Sequence, residues 1–301
     1  MGVTTPNARF VDKNVGVAKP VTLTGLGTFR VEACGSLGDK PMCVWGLTNN
    51  GGTLNLNGNS QMVYGFFGDA TVAGAPGVVT SSAGTGHLVV NNDNNARNFA
   101  GALQGSVNFT RSGQNNLSFY SASSFTGATV LNGGNLLLRD GAVFSATSSV
   151  EVNYAGLYFE NTSSANNLND RLVDAAPVSL RGGTVELRGR AQMATTESVG
   201  AVTLALGASF VNAVAGGTGI NSADLSLAGL TRAANATVNF TAAGQAGSSA
   251  RVLIGTIGGA STATVGGGLS NGIIGGWATV GTSDFATYVP GLGVLALGGT
   301  G

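Results

Sequence analysis

The residues of this chain whose types could support catalysis are few and widely spaced. The chain has one histidine, His87, and only 14 basic and 14 acidic residues among 301. Residues 268–272 read Gly-Leu-Ser-Asn-Gly and match the nucleophile-elbow pattern Gly-x-Ser-x-Gly. That elbow needs a strand before the serine, a helix after it and a histidine base within reach. A non-helical, glycine-rich run follows Ser270, and His87 lies far upstream, so we expect no hydrolase here.

Charged residues are densest in three segments that could carry carbohydrate chemistry. A polysaccharide lyase or glycoside hydrolase needs paired carboxylates, or a carboxylate-bound cation with an arginine or lysine base, and the fold must bring these groups together. The simpler interpretation is that these side chains are exposed to solvent or form ion pairs at turns, because exposed pairs of this kind are common. We favour that interpretation and assign no catalytic residue. The segments contain Arg139 and Asp140; Asp170, Arg171 and Asp174; and Arg181, Glu186, Arg188 and Arg190.

The two cysteines, Cys34 and Cys43, lie nine positions apart in a segment that contains glycine and proline. This spacing allows a disulfide, and two free thiols are the alternative. The sequence has neither Cys-x-x-Cys spacing nor clustered histidines, which argues against a metal or redox centre. It also lacks a phosphate-binding loop, a complete dinucleotide fingerprint and the calcium-binding nonapeptide repeat. We therefore predict no cofactor.

The composition points to an unusual fold and narrows the range of partners. The chain contains 50 glycines, 9% charged residues and 43% hydrophobic residues, against averages of ~7% glycine and ~25% charged residues. Its net charge is zero, so we expect neither nucleic acid nor an anionic membrane as a partner. No apolar run approaches the ~20 residues that cross a bilayer as a helix. Because no export signal is visible and the chain stops in mid-pattern, we interpret it as an excerpt of a larger protein.

Short bursts of alternating apolar and polar residues are the strongest structural signal. This period of two is that of a β-strand, and the bursts are separated by turn-forming Gly, Asn, Ser, Thr and Asp. We predict an all-β fold. Because the bursts recur over the whole chain, we favour a right-handed parallel β-helix, or β-solenoid, continuous over 1–301. The predicted inward residues include Val107, Phe109, Leu117, Phe119, Leu136, Leu138, Val150, Val152, Leu157, Phe159, Val185, Leu187, Val202, Leu204, Leu206, Leu225, Leu227, Val238, Phe240, Val252 and Ile254.

Three segments repeat a Gly-Gly pair followed by an apolar strand. Glycine tolerates the positive φ that a tight corner requires. A Gly-Gly link could also close an antiparallel hairpin, and the local sequence does not distinguish a hairpin from a solenoid corner. We assign the six glycines as structural turns of an internal repeat. They are Gly51 and Gly52, Gly133 and Gly134, and Gly182 and Gly183.

Residues 125–138, Phe-Thr-Gly-Ala-Thr-Val-Leu-Asn-Gly-Gly-Asn-Leu-Leu-Leu, carry a resemblance to a known family. They resemble the autotransporter-associated β-strand repeat, whose usual form is Tyr/Phe-Thr-Gly-x-Thr-x-Val/Leu-x-x-Gly-x-Leu. Residues 169–184 and 271–288 are similar to the inter-repeat and closing segments of proteins that carry this repeat. The resemblance spans roughly residues 105–297. Residues 1–104 are assigned to the same solenoid by pattern only.

The resemblance implies a bacterial protein that is extracellular or on the cell surface, associated with the outer membrane through parts outside this chain. It implies a passenger-type β-helix without catalytic residues. We therefore expect a non-enzymatic structural stalk or passenger segment whose partner is the rest of a larger polypeptide. An adhesin for glycans or surface proteins is one alternative, because aromatic side chains stack on sugar rings. A lyase or glycoside hydrolase built on a β-helix is the other. The candidate aromatics are Trp45, Tyr120, Tyr158 and Trp277.

Overall fold

A computed structural model of the chain describes residues 9–10, 19–20, 22–24, 28–33, 44–68, 77–92, 95–162, 164, 166–217, 219, 221–241, 249–282 and 284–299. Up to residue 50 this description covers the backbone alone. Within these ranges the fold is all-β, with one 3₁₀ turn at Leu297–Gly299 and no α-helix. The chain forms two compact units. The first unit comprises residues 1–136 and 141–147, and the second unit comprises residues 137–140 and 148–301.

The strands are mostly short, and one of them, β21, is 21 residues long. In chain order they are β1 (Arg9–Phe10), β2 (Lys19–Pro20), β3 (Thr22–Thr24), β4 (Thr28–Ala33), β5 (Val44–Asn50), β6 (Thr53–Asn55), β7 (Ser60–Val63), β8 (Phe66–Phe67), β9 (Val78–Thr80), β10 (Gly86–Asn92), β11 (Arg97–Phe99), β12 (Ala102–Leu103), β13 (Val107–Gly113), β14 (Asn116–Phe119), β15 (Thr129–Asn132), β16 (Asn135–Leu138), β17 (Val150–Asn153), β18 (Gly156–Glu160), β19 (Val178–Arg181), β20 (Thr184–Arg188), β21 (Ala194–Val214), β22 (Ser222–Arg232), β23 (Ala236–Phe240), β24 (Ala250–Ile254), β25 (Thr256–Ile257), β26 (Ala260–Ser261), β27 (Ala278–Val280), β28 (Asp284–Val289) and β29 (Gly293–Ala296).

Parallel strands of the first unit stack in columns. One column runs through Val63, Val90, Arg111 and Leu131, in steps of 27, 21 and 20 residues. All four side chains are buried. The chain therefore returns to the same column once in each coil, and successive coils are joined by parallel hydrogen bonding.

The second unit repeats this arrangement with an aliphatic column. Val150, Val178, Val202, Leu230 and Ile257 follow one another in steps of 28, 24, 28 and 27 residues. All five side chains are buried. Alternation along each strand directs every second side chain inward, and this produces the continuous apolar stack.

The core of the first unit is aromatic. Six phenylalanines are fully or almost fully buried. Most of their contacts are edge to face, with ring centroids 5.0 to 6.5 Å apart. Each such pair contributes about 0.5–1.5 kcal/mol beyond the burial of its area. The six are Phe66, Phe99, Phe109, Phe119, Phe125 and Phe144.

The residues predicted to point inward are buried, with the exception of Leu206, which is 43% exposed. A register shift explains the exception. Leu180 pairs with Leu204, but the next residue, Arg181, pairs with Leu206, so β21 contains one extra residue at this point. One extra residue in a strand reverses which face the following side chains occupy. Leu206 therefore lies opposite the exposed Arg181 rather than in the core.

The sequence analysis predicts parallel pairing over the whole chain, but the strands near each end of the described residues pair antiparallel. In the first unit β1 pairs with β2, β3 with β6 and β4 with β5, all antiparallel. In the second unit β25 pairs with β26, β27 with β28 and β28 with β29, also antiparallel. All of these pairs except β3 with β6 join consecutive strands, which can form hairpins, whereas a parallel partner requires a long crossover between the strands. Among the described residues, no helix is both long and apolar enough to span a membrane.

Candidate functional site

Ser270, in the sequence that matches a nucleophile elbow, lies in a tight turn. Its backbone N–H donates to the carbonyl of Ile273 at 2.8 Å, and the N–H of Ile273 donates back to the Ser270 carbonyl at 3.1 Å. Residues 271–277 that follow are turns and bends, not a helix. The histidine is engaged elsewhere. His87 Nε2 lies 2.8 Å from Thr110 Oγ1, and burial lowers the pKa of His87.

The third charged segment forms a cluster on the outward positions of parallel strands. Arg188 Nε donates to Glu186 at 2.5 Å, and Arg188 Nη1 donates to Glu160 at 3.1 Å. The guanidinium also lies 4.0 Å from the centre of the Tyr158 ring. Register places these groups together, because Tyr158 pairs with Glu186 and Glu160 pairs with Arg188. Asn212, opposite Glu186 on the next strand, donates to its second carboxylate oxygen at 3.1 Å.

In this cluster one guanidinium binds both carboxylates. Desolvation lowers the pKa of Arg188, but the hydrogen bonds and charges of Glu186 and Glu160 outweigh it and raise that pKa. Burial and the Glu186 charge raise the pKa of Tyr158. The guanidinium joins Glu186 of its own strand to Glu160 of the paired strand one coil earlier, so the cluster is suited to holding coils together.

The remaining arginines of this segment have separate partners. Arg181 Nε lies 3.2 Å from Glu151 Oε1, and both side chains are well exposed. Exposed pairs of this kind contribute about 0–1 kcal/mol. Arg190 Nη1 donates to the backbone carbonyl of Ser164 at 2.5 Å. The segment therefore divides into a half-buried cluster and two individual contacts.

The second charged segment is centred on a buried carboxylate that the sequence analysis missed, that of Glu197. Glu197 accepts the backbone N–H groups of Arg171 and Leu172 at 2.7 and 2.9 Å. The Arg171 guanidinium donates to Asn161 Oδ1 at 2.6 Å and to the backbone carbonyl of Asp140 at 3.2 Å. Asp140 belongs to the first charged segment and Arg171 to the second, so this cluster combines residues of both segments. The period of two already placed Glu197 inward, because it alternates with the buried Thr195 and Val199.

Burial dominates the electrostatics of this second cluster. It raises the pKa of Glu197 to about 8, although the backbone N–H donors and the Arg171 charge oppose this shift. Burial also lowers the pKa of Arg171 to about 10, against the charges of Glu197, Asp140 and Glu160. Asp170 is exposed, and desolvation together with the neighbouring Asp174 raises its pKa. The cluster holds the 169–174 segment against β21.

Arg111 is a second buried charge that the sequence analysis missed. Its guanidinium donates to the backbone carbonyls of Gly113 at 2.9 Å and Gln114 at 2.6 Å, and also to those of Asn115 and Gly133. Burial lowers the pKa of Arg111 to about 10. The alternation Val107, Phe109, Arg111 along β13 was the available signal that this side chain points inward.

The three Gly-Gly pairs lie between consecutive strands. Gly51–Gly52 links β5 to β6, Gly133–Gly134 links β15 to β16, and Gly182–Gly183 links β19 to β20. The first glycine of each pair has a positive φ, of 78°, 86° and 62° respectively. β19 pairs in parallel with β17 and β21, whereas β20 pairs in parallel with β18 and β21. The third pair therefore joins strands of two ladders, as a corner does.

Gly134 has a specific reason to be glycine. Its φ is 55°, and a Cβ at this position would overlap the Arg111 guanidinium. That guanidinium cannot move aside freely, because it bonds to four carbonyl groups.

Cys34 and Cys43 lie outside the described residues, so the disulfide stays a prediction.

Three of the four candidate aromatic side chains have described contacts, each with a different residue. Tyr120 donates to Asn98 Oδ1 at 3.4 Å. The guanidinium of Arg232 lies 5.5 Å from the centre of the Trp277 ring. Tyr158 lies under Arg188, and the side chain of Trp45 is outside the description.

The second unit has an exterior groove. Its volume is about 660 Å³, within the range of ligand sites. The floor includes Ser198, Ser226 and Leu253, and the walls include Asp174 and Pro290. The sequence analysis named Asp174 but did not predict the groove, because its walls come from segments more than a hundred residues apart.

Among the described residues, no three histidine, cysteine, aspartate or glutamate side chains come together in a way that could hold a metal ion. Comparisons with protein-family models, with curated proteins and with solved structures each gave no match.

Proposed function

We propose that this chain is a right-handed parallel β-helix that acts as a non-catalytic stalk or passenger segment of a larger surface protein. The observation that carries the proposal is the column of Val150, Val178, Val202, Leu230 and Ile257, which recurs once per coil in parallel register. Right-handed crossovers account for ~98% of parallel strand connections. A stack of this kind provides stiffness through backbone pairing and needs few charged residues.

The use of charged side chains supports a structural role. Arg188 binds two carboxylates, Arg171 and Glu197 hold a loop, and Arg111 closes a turn. Each of these interactions joins parts of the chain to one another. A lyase or hydrolase would instead direct such groups toward a substrate. We therefore favour the scaffold over the enzymatic alternative.

The proposed location is the bacterial cell surface or the extracellular space. Its support is the resemblance of residues 125–138 to the autotransporter-associated repeat. In the structure this segment contains β15, the Gly133–Gly134 link and β16. The proposed partner is the remainder of a longer polypeptide, which the stalk would project and space.

Small-angle scattering on the purified chain tests the proposal. A continuous solenoid predicts an elongated particle, and a compact particle would overturn it. Incubation of the same sample with neutral and acidic polysaccharides, with and without calcium, tests the absence of catalysis. We expect no new reducing or unsaturated ends, and reproducible product would contradict the non-catalytic assignment.

A further inference from the structure

The groove of the second unit has a floor built by strand register. Ser198 of β21 pairs with Ser226 of β22, and Ser226 pairs with Leu253 of β24. Adjacent strands lie ~4.8 Å apart, so these three outward side chains form a row of ~10 Å. The Ser198 and Ser226 hydroxyls have no hydrogen-bond partner in the described part of the chain, and both side chains are partly exposed. The floor therefore offers two hydroxyl groups in a fixed line.

One wall of the groove is held by a pinned arginine. Arg251 donates to both carboxylate oxygens of Asp224, at 2.8 and 2.5 Å, and to the backbone carbonyl of Gly291 at 2.9 Å. An arginine has five N–H donors, so two remain after these three bonds. The contact with Gly291 also fixes the turn that places Pro290 at the groove. Arg251 thus presents donors in a rigid position.

The charges at the groove disfavour a strongly charged ligand. Asp174 and Arg251 both line the groove. An anionic ligand would meet the Asp174 carboxyl group, and a cationic ligand would meet the Arg251 guanidinium. The floor also presents the hydroxyls of Ser198 and Ser226, which can bind hydroxyl groups of a ligand. The half-buried Leu253 and Pro290 can pack against its C–H groups.

We propose that this groove binds a short neutral oligosaccharide. Hydroxyl, carboxylate and guanidinium groups beside small apolar surfaces match the alternating hydroxyl and C–H surface of a sugar ring. A peptide cannot add a strand to β22, because β22 is already paired with β21 and β24, and an extended peptide is included in the test for the other strands of the groove. The inference goes beyond the scaffold role and does not depend on the four aromatics named from the sequence.

Titration of the full 301-residue chain with chitotriose, cellotriose and maltotriose, followed by calorimetry, tests the proposal. Trigalacturonate serves as the acidic counterpart, and an extended neutral octapeptide as the peptide counterpart. The test variant is Ser226→Leu, which fills the floor. The matched control is Ser179→Leu, which replaces an outward-facing, half-buried serine of a parallel strand outside the groove.

We expect saturable binding of at least one neutral trisaccharide. Ser226→Leu should weaken that binding by about tenfold or more, the equivalent of at least one hydrogen bond, and Ser179→Leu should leave it unchanged. No saturation by any neutral trisaccharide, binding of only trigalacturonate or the peptide, or equal binding by Ser226→Leu would each overturn the proposal. Scattering from the same sample reports on the scaffold independently, so the two proposals can fail separately.

Discussion

Arg111 of the first unit and Arg171 of the second unit are both fully buried, but different groups compensate their charges. Arg111 is bound by four backbone carbonyls of two turns, and no carboxylate pairs with it in the described part of the chain. Arg171 binds the Asn161 side chain and the Asp140 carbonyl, and its surroundings include the charge of Glu197. One arginine is held by the shape of the backbone, the other by a network of side chains.

This difference shows two ways in which a narrow core can contain a cation. Backbone carbonyls carry no proton to gain or lose, so compensation of Arg111 depends on turn geometry. Compensation of Arg171 involves Glu197, which titrates, and therefore depends on pH. Both arrangements provide acceptors for the terminal guanidinium nitrogens, and a buried polar group without a partner is strongly destabilising.

The largest expected effect is that of Arg111→Leu. The substitution matches the neighbouring Val90 and Leu131 in polarity, but it leaves four carbonyl groups without their donor. We expect it to lower the free energy of unfolding by about 3–5 kcal/mol, measured by urea denaturation. Arg171→Leu should lower it by less, because the Asn161 side chain that Arg171 binds can turn to another partner, whereas the carbonyls around Arg111 are held in the backbone. Arg181→Leu, at an exposed ion pair, is the control and should change it by about 1 kcal/mol or less.

A loss for Arg111→Leu no larger than that for Arg181→Leu would contradict the assignment of Arg111 as a backbone-compensated core residue. Equal losses for Arg111→Leu and Arg171→Leu would remove the proposed difference between the two regions.

A smaller effect is expected from pH. The folded-state pKa of Glu197 is about 8, above its ordinary value of 4.5. Its contribution to stability is therefore fully present below pH 4.5 and is lost as the pH rises toward and through 8. We expect the amides of Arg171 and Leu172 to lose hydrogen-exchange protection between pH 5 and pH 8, equivalent to at most about 3.5 kcal/mol in total and ~1.4 kcal/mol per pH unit.

Two comparisons isolate the contribution of Glu197. Glu197→Gln should remove the pH dependence of protection at Arg171 and Leu172, because its amide does not titrate. In the first unit, the Asn135 amide, which bonds to the Asn115 carbonyl beside Arg111, should keep its protection. A parallel loss at Asn135, or an unchanged slope in Glu197→Gln, would refute the origin assigned to the effect.

The smallest effect concerns Gly134→Ala. A Cβ at this position would meet the pinned Arg111 guanidinium, and the positive φ adds strain. We expect a loss of about 2 kcal/mol in the free energy of unfolding. In an Arg111→Leu background the loss should fall to about 1 kcal/mol, the strain alone. A double-mutant cycle measures this difference, and additive losses would show that Gly134 and Arg111 are not coupled.

The alternation of apolar residues was sufficient to predict much of the core. Phe109, Leu136 and Val185 were predicted inward from a period of two, and each is buried. The same alternation runs through Arg111 and Glu197, which are also buried but were not among the predicted inward residues. The sequence could not show which carbonyls or amides would satisfy them, because those groups belong to the backbone and carry no residue-type signal.

The candidate site was less predictable than the core. Arg188 and Glu186 were named together, but their partner Glu160 lies one coil earlier and was not named. The groove combines Asp174 with Pro290, and no local pattern connects them. The inward prediction for Leu206 was wrong for a related reason, since a single extra residue in β21 reversed the face that its side chain occupies.

The sequence by itself determined the all-β character, the spacing of inward side chains and the glycine-rich links between strands. These properties depend on φ, ψ preferences and a period of two, which act between neighbouring residues. The tertiary structure alone decided the ladder partners, the antiparallel strands near each end, the compensation of the buried arginines and the groove. The ladder partners and the groove depend on register between residues 20 or more positions apart, and each buried arginine also has one acceptor that far away, Gly133 for Arg111 and Asp140 for Arg171. The packing of whole coils, and not any short segment, brings these residues together.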